Sequence, residues 1–591
     1  MKSFSRYRVN GYEPPLKELS ELLKKIYIEH SAEEIDFVWS QLLQILDEVN
    51  VIKDTTPNDS QSQLWDSSTS VLITYADAVS IPGEPSLKTL GKLLDDHIGN
   101  LSSVTHILPF LCSTSDGGFA VSSYERIEMK FGDWIDLKNI SKNHILMADL
   151  VLNHVSSSHN WVQQFIQSKE PGVSYILSPS ENSNWDNVIR PRNTSLFRTL
   201  STTEGMKSVW TTFGPDQIDL NWKEPSIIIE FLNLIILYIS NGIKWIRLDA
   251  VGFIWKESGT TCMHNDQVHL LVKALRIQLE QIISDGVIIT ETNVPEKENI
   301  SYLTSANEAH LSYNFPLPPL LLESLFSGKA DLINKWLFNW PELPENTSFI
   351  NFTASHDGIG LRALEGLMDQ DRFHDLLISC EKRGGLISHR RMPSGEDQPY
   401  ELNISWWSAM ADVGIDKSFL QFERFILSQL FAMSIKGIPA FYLQSLLASD
   451  NDLKTFGESG QRRDINRERF NAKTLFLNLE DPKSPASKNL KFLKSAMNIR
   501  SKLKCFDPGA EMNCLSKDRS DLVIISRGKS QERLLAIHNM TNSRLSFSFT
   551  DSLYTTSLSS SHWKDYLNNI ELFDNNIELK PYAVHWLKQV G

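Results

Sequence analysis

Apolar residues first recur at helical spacing. From Leu16 to Val49 they fall at Leu19, Leu22, Leu23 and Ile26, then at Val38, Leu42, Ile45 and Leu46, which predicts a helical N-terminal segment. A polar run from Thr55 to Ser70, with Pro57, Asn58 and Asp59, predicts a linker. After Ser70 the rhythm changes. Short apolar runs stand at Val71–Tyr75, Val104–Phe110, Ile145–Leu152, Ile243–Leu248, Val287–Thr290, Ala309–Tyr313, Phe349–Phe352 and Ile438–Tyr442. Longer amphipathic segments separate them, such as Ser226–Ser240, Gln267–Ile283 and Phe419–Ser434. Strands that alternate with helices predict a parallel sheet, and eight of them are enough to close a (β/α)8 TIM barrel of the α/β class. The span from Ser156 to Pro225 is too long for a bare loop and predicts an inserted subdomain after strand 3. Beyond Cys505, the runs Leu522–Ser526, Arg533–His538 and Leu545–Phe549 are short and parted by polar turns, which predicts a C-terminal antiparallel β-domain. The expected division is 1–69 for the helical extension and linker, 70–155 and 226–504 for the barrel, 156–225 for the insertion and 505–591 for the β-domain.

Composition narrows the function classes. Lys and Arg number 58 against 72 Asp and Glu, a formal net charge of -14. That opposes non-specific nucleic-acid binding, which needs clustered cations to displace counterions. It equally opposes docking on anionic membranes. The longest greasy stretch, such as Phe231 to Ile239, falls short of a membrane span. The leading residues show no apolar core or cleavage signal, and a cytoplasmic, soluble protein is expected. Cys112, Cys262, Cys380, Cys505 and Cys514 are odd in number and lack close CxxC spacing, so they read as small buried thiols. No metal motif and no cofactor motif is visible, and nothing in the chain indicates an oligomeric state.

In a (β/α)8 barrel the active site lies at the C-terminal ends of the strands. A polar residue directly after a buried apolar run is therefore a candidate by position. Four clusters qualify: Asp149-Leu150-Val151-Leu152-Asn153-His154, Ile246-Arg247-Leu248-Asp249-Ala250-Val251, Ile289-Thr290-Glu291-Thr292-Asn293 and Ala354-Ser355-His356-Asp357-Gly358. Any single carboxylate after a strand can be a helix cap. Together the clusters bring three carboxylates (Asp249, Glu291 and Asp357), two histidines and an arginine to one face. Carboxylates flanking one bond are the equipment of glycoside cleavage.

The order DLVLNHV, IRLDAVG, ETN and SHDG resembles the conserved regions of the α-amylase family, glycoside hydrolase family 13. The resemblance implies a barrel with an insertion after its third strand and a C-terminal β-domain. It makes Asp249 the nucleophile, Arg247 the cation beside it and Glu291 the general acid/base. Asp357 becomes the third carboxylate, which holds sugar hydroxyls, and His154 and His356 the histidines at the donor subsite. Asp149 and Asn153 are expected to brace the barrel mouth. Some members bind structural calcium, and the residues near Asn153 establish no such site.

Finer motifs resemble the sucrose phosphorylase subfamily: Ile73-Thr74-Tyr75-Ala76-Asp77, Phe131-Gly132-Asp133-Trp134, Trp210-Thr211-Thr212-Phe213, Glu291-Thr292-Asn293-Val294-Pro295 and Arg463-Asp464-Ile465-Asn466-Arg467. There the acceptor is inorganic phosphate and the product α-glucose 1-phosphate. By this resemblance Arg467 is the phosphate candidate, with Tyr400 in the preceding loop, and Asp116 is a donor-side sugar ligand. Sucrose-active members tend to carry Tyr-Gln-Val-Asn where this chain has Tyr400-Glu401-Leu402-Asn403. The helical N-terminus and Glu204-Gly205-Met206-Lys207-Ser208-Val209-Trp210 resemble the glucosylglycerate phosphorylase branch instead. Two anions, glycerate and phosphate, call for several cations at the mouth, and Arg190, Arg192, Arg198, Lys207 and Arg467 are the candidates. Glu401 would repel such an acceptor unless it pairs with one of these arginines. Sucrose, sucrose 6-phosphate or glucosylglycerol phosphorolysis, and plain α-glucosidase activity, stay open at this stage.

Overall fold

The chain is described here by a computed structural model that covers residues 13–53, 63–180, 183–192, 194–391, 396–414, 416, 418–548, 562–573 and 576–590. Residues 1–12, read above for a leader, and most of the expected linker, 54–62, lie outside the described residues.

Eight strands close the barrel: β1 (Val71–Thr74), β2 (Val104–Ile107), β3 (Ile145–Val151), β4 (Ile243–Asp249), β5 (Val287–Thr290), β6 (Leu311–Tyr313), β7 (Ser348–Phe352) and β8 (Ile438–Tyr442). Each pairs in parallel with its sequence neighbours, and β1 pairs with β8 to close the ring. Runs such as Val-Leu-Ile-Thr in β1 and Val-Ile-Ile-Thr in β5 are buried at every position. A parallel strand covered on both faces needs such a run, because water reaches neither side. All eight apolar runs picked out in the sequence are barrel strands.

Two insertions ride on the ring of strand ends. Between β3 and β4 lie the helix Asn160–Ile166, the hairpin of Phe197–Thr202 with Gly205–Trp210, and the strand Gln217–Asp219. That strand pairs antiparallel with His154–Ser156, which sets Asp219 opposite His154. A buried lysine locks the join. Lys256 Nζ donates to Asn153 Oδ1 at 2.6 Å, meets Asp219 Oδ2 at 2.6 Å and also donates to the Phe253 carbonyl. The second insertion, between β7 and β8, is a three-stranded antiparallel sheet. Asp397–Asn403 forms its middle, between Ile359–Gly360 and Leu386–Arg391.

The helical N-terminal segment is two helices, α1 (Glu13–Ile26) and α2 (Ala32–Lys53). Ser31 makes the break. Its side chain accepts from the Glu34 amide at 3.3 Å, while Glu34 Oε2 accepts from the Ser31 amide at 2.9 Å, a reciprocal cap. Leu19, Leu22, Leu23 and Ile26 are buried in the core shared with the barrel, and Tyr27 packs on Trp255. At the other end, a six-stranded antiparallel sheet contains the predicted runs as Leu522–Arg527 and Leu534–Asn539. Leu545–Ser548 pairs separately with Asn576–Leu579. Among the described residues, no helix is long and apolar enough to cross a membrane.

Asp219 is fully buried and pairs with the Lys256 ammonium at 2.6 Å. Lys256→Met removes that ammonium and leaves a buried carboxylate with its hydrogen bonds from Thr212 and Asn153 but no counter-charge. We expect a loss of about 3–5 kcal/mol, read as a lower midpoint in urea unfolding. A loss under about 1 kcal/mol would show that the lysine is not what holds the insertion to the barrel.

Candidate active site

The parallel barrel delivers the four polar clusters to one rim. Arg247 and Asp249 stand two residues apart on β4 and so point the same way. One Arg247 nitrogen, Nη1, bonds Asp249 Oδ1 at 2.6 Å and also Asp149 Oδ1, while Nη2 lies 3.7 Å from Glu291 Oε2. The same Glu291 oxygen accepts from the Ala250 amide at 3.2 Å. Ala250 has a left-handed backbone (φ 50°), which turns that amide toward the glutamate. Side chains 249 and 291, far apart in sequence, therefore meet on a single guanidinium.

Arg247 is itself held from behind. Asp149 on β3 is buried and its other oxygen meets His106 Nε2 at 2.8 Å. Burial alone would raise the Asp149 carboxyl, but Arg247 and His106 outweigh it and hold it down to about 2. Burial also works against the Arg247 charge, and Asp149, Asp249 and Glu291 outweigh it and keep the guanidinium protonated. Asp249 and Glu291 are pushed upward by burial and by neighbouring carboxylates, in opposition to Arg247. Such a close pair titrates as a unit. Arg247 touches Asp249 directly and Glu291 only at longer range, so its charge favours the ionised form more at Asp249 than at Glu291.

Asp357 follows β7 and is governed by a cation from a distant loop. Arg463 Nη1 lies 2.5 Å from Asp357 Oδ1, while its Nη2 and Nε grip Glu401 at 2.6 and 3.1 Å. Burial would raise Asp357; Arg463, His356, Arg247 and Arg467 overturn that and keep it well below the usual carboxylate range. His356 is pushed down to about 3 by burial, so it is neutral at pH 7, and its ring stacks on Phe119 with centroids 5.2 Å apart. His154 is likewise lowered by burial. Its Nε2 lies 3.0 Å from Gln217 Nε2, and Gln217 in turn donates to Asp116 Oδ2 at 3.0 Å. Asp116 is held low despite burial by Arg192, Arg463 and Arg467.

These groups line one cavity, open to solvent. Asp249, Glu291, Asp357, Asp116, His154, Arg247, His356 and Tyr400 all face it. Phe119, Phe213 and Phe253 supply its apolar wall, and Arg190, Arg192, Arg362, Arg390 and Arg463 its cations. Tyr400 and Glu401 lie on the strand Asp397–Asn403, not in a loop. Alternation along that strand turns Tyr400 to the cavity and Glu401 back onto Arg463. The expected pairing of Glu401 with an arginine is thus present, but its partner is Arg463. Arg467 does not line the cavity. Its Nε donates to the His356 carbonyl at 2.8 Å and its guanidinium lies over Tyr75. Arg198 donates to the Pro215 carbonyl and Lys207 pairs with Glu204, both away from the cavity. Asn153 does brace the mouth, since its side-chain oxygen is taken by Lys256.

Sequence reasoning singled out neither Arg463 nor Gln217. Arg463 carried a signal in hindsight, one helical turn before Arg467 in the same short motif. Gln217 carried none, because its place depends on the pairing of Gln217–Asp219 with His154–Ser156.

A family profile for the alpha-amylase catalytic domain matches residues 97–363. Glucosylglycerate phosphorylase of Allomeiothermus silvanus is 37% identical over 81% of this chain and 86% of its own. The protein of the same name from Escherichia coli is 31% identical over 89% of this chain and 92% of its own. The crystal structure of sucrose 6F-phosphate phosphorylase from Thermoanaerobacter thermosaccharolyticum shares the fold, with a TM-score of 0.70 at 24% identity, covering 80% of this chain and 94% of that one. The chain belongs to the glycoside phosphorylases of the α-amylase family.

Among the described residues, Arg463 is the one cation that pairs with both Asp357 and Glu401. Arg463→Met leaves both carboxylates without it, and we expect a loss of about 2–3 kcal/mol, reduced by the partial exposure of Asp357. Arg463→Lys should recover only part, because one ammonium cannot fork to both. Equal melting temperatures for the three proteins would contradict this account.

Proposed function

We propose that this chain cleaves glucosylglycerate with inorganic phosphate to give α-glucose 1-phosphate and glycerate, with retention of configuration. Asp249 is the nucleophile. Its oxygen attacks the anomeric carbon, the bond to the aglycone oxygen breaks, and that oxygen takes the proton held on Glu291. A β-glucosyl ester of Asp249 results. Glu291, now a carboxylate, removes a proton from the incoming phosphate, whose oxygen displaces Asp249 and regenerates the glutamic acid. Asp357, His154, His356 and Asp116 hold the glucosyl hydroxyls. The observation that carries the reading is the Arg247 guanidinium, in contact with the carboxyls of both Asp249 and Glu291.

The likeness of most of the chain to the curated glucosylglycerate phosphorylases supports the choice of aglycone. So does charge. Six arginines line the cavity against four carboxylates, and Glu401 is neutralised by Arg463. The repulsion that kept uncharged aglycones open is thereby removed. Tyr400 remains an acceptor-side group. Arg467, placed behind the cavity wall against Tyr75 and the His356 carbonyl, is better suited to shaping the donor side near Asp116 than to meeting phosphate alone.

Incubation with glucosylglycerate, with and without phosphate, tests the reaction. Glucose 1-phosphate should form only with phosphate. Free glucose released at one rate in both would convert the reading to a hydrolase. The pH profile tests the proton assignment. Arg247 lowers the Asp249 carboxyl against burial, so Arg247→Gln should raise it, and the acid limb of residual kcat/KM should move to higher pH. An unmoved acid limb would mean that Arg247 does not keep Asp249 ionised.

A further inference from the structure

Among the cavity arginines without a role in the chemistry above, Arg362 and Arg390 stand together. Arg390 lies on Leu386–Arg391 of the sheet inserted between β7 and β8, and Arg362 opens the short helical turn that follows that sheet's edge strand Ile359–Gly360. Both face the cavity, as does Tyr400 of that sheet. The charges of the other central arginines are spoken for: Arg247 by Asp149 and Asp249, Arg463 by Asp357 and Glu401. Arg362 and Arg390 have much less. Among the described residues, both reach for one oxygen of one carboxylate, Glu365 Oε1, at 3.7 and 3.1 Å. The Glu365 side chain is half exposed, so water weakens its charge. The Nε atoms of both arginines are buried without a hydrogen-bond partner. Arg362 is 9% exposed, so water does not compensate. Burial and the neighbouring Arg362 charge both lower Arg390, the mark of two cations held together without enough counter-charge.

A buried guanidinium pair with unused donors is incomplete without an anion. The guanidinium fork matches a carboxylate in two parallel hydrogen bonds. We propose that Arg362 and Arg390 form the binding site for the carboxylate of the aglycone, and so select an acidic acceptor over its uncharged analogue. The inference rests on the phosphorylase reading above and adds to it the residues that read the leaving group. It also gives the inserted sheet a function: one face carries the Glu401–Arg463 clamp on Asp357, and the cavity side carries the selectivity.

Synthesis from glucose 1-phosphate isolates the effect. Glycerate and glycerol then compete for the same glucosyl-enzyme, so any change in how phosphate leaves cancels in the ratio of their kcat/KM values. The wild type should prefer glycerate. In Arg362→Gln and in Arg390→Gln that preference should fall by about 10- to 100-fold, the worth of a hydrogen bond to a charged group. Arg362→Lys and Arg390→Lys should lie between. Arg390, the more exposed of the two, provides a variant that tolerates substitution should Arg362→Gln fail to fold. A ratio within threefold of wild type in Arg390→Gln overturns the proposal. So does a larger fall in the exchange of labelled phosphate with glucose 1-phosphate than in the ratio, since the pair would then serve phosphate. A wild type that prefers glycerol, or makes no glucose 1-phosphate from glucosylglycerate, would instead sink the proposed function, whatever the variants do.

Discussion

One buried guanidinium organises the centre of this molecule. Arg247 is surrounded by Asp149, Asp249 and Glu291 at the C-terminal ends of three adjacent strands. A charge so placed is costly to bury unless every side is met. The barrel meets it from behind through Asp149, which His106 secures, and in front through the carboxyls of Asp249 and Glu291. The rear partner stays ionised, so Arg247 stays fixed. The front partners share what remains of its field, and the nearer one, Asp249, feels it more. Two acidic side chains of similar intrinsic strength are thus set at different distances from a single cation, the arrangement that separates an acid from a carboxylate.

The second charge system works by the same rule with a different origin. Asp357 comes from the end of β7, but Arg463 arrives from beyond β8 and Glu401 from the sheet inserted between them. Arg463 ties the sheet to the barrel rim. Gly358 leaves room for this, since a Cβ there would stand 2.6 Å from Glu401 Cγ. The cavity is therefore shaped from two sides, by rigid strand ends below and by a clamped sheet beside them. Rigid support of this kind is what keeps a reacting group within the narrow tolerances catalysis needs.

The barrel was legible because its strands are buried on both faces and read as unbroken apolar runs. The positions of Asp249, Glu291 and Asp357 were legible for a related reason: in a parallel barrel, the residue that ends a strand must lie on the active rim. Long-range partners were not. Arg463, Gln217 and Lys256 reach the site through loop closure and antiparallel pairing, and neither leaves a periodic trace in sequence. Tyr400 and Glu401 were read as loop residues because Tyr-Glu-Leu-Asn is too short and too polar to announce a strand. The interruption between α1 and α2 was marked only by Ser31 and Glu34, a local cap that the stronger helical rhythm on either side conceals.

The ammonium of Lys256 has a consequence for assembly. It sits among Asn153, Asp219 and the Phe253 carbonyl, a set of oxygens that suits a small cation. Here the cation is a side chain, carried seven residues past Asp249 on the same loop. A tethered ion has an effective concentration fixed by its linkage and not by the surrounding medium. It arrives when the loop after β4 folds and cannot be chelated, exchanged or diluted away. At this junction, the docking of the insertion on the barrel is wired into the covalent chain that also carries Asp249.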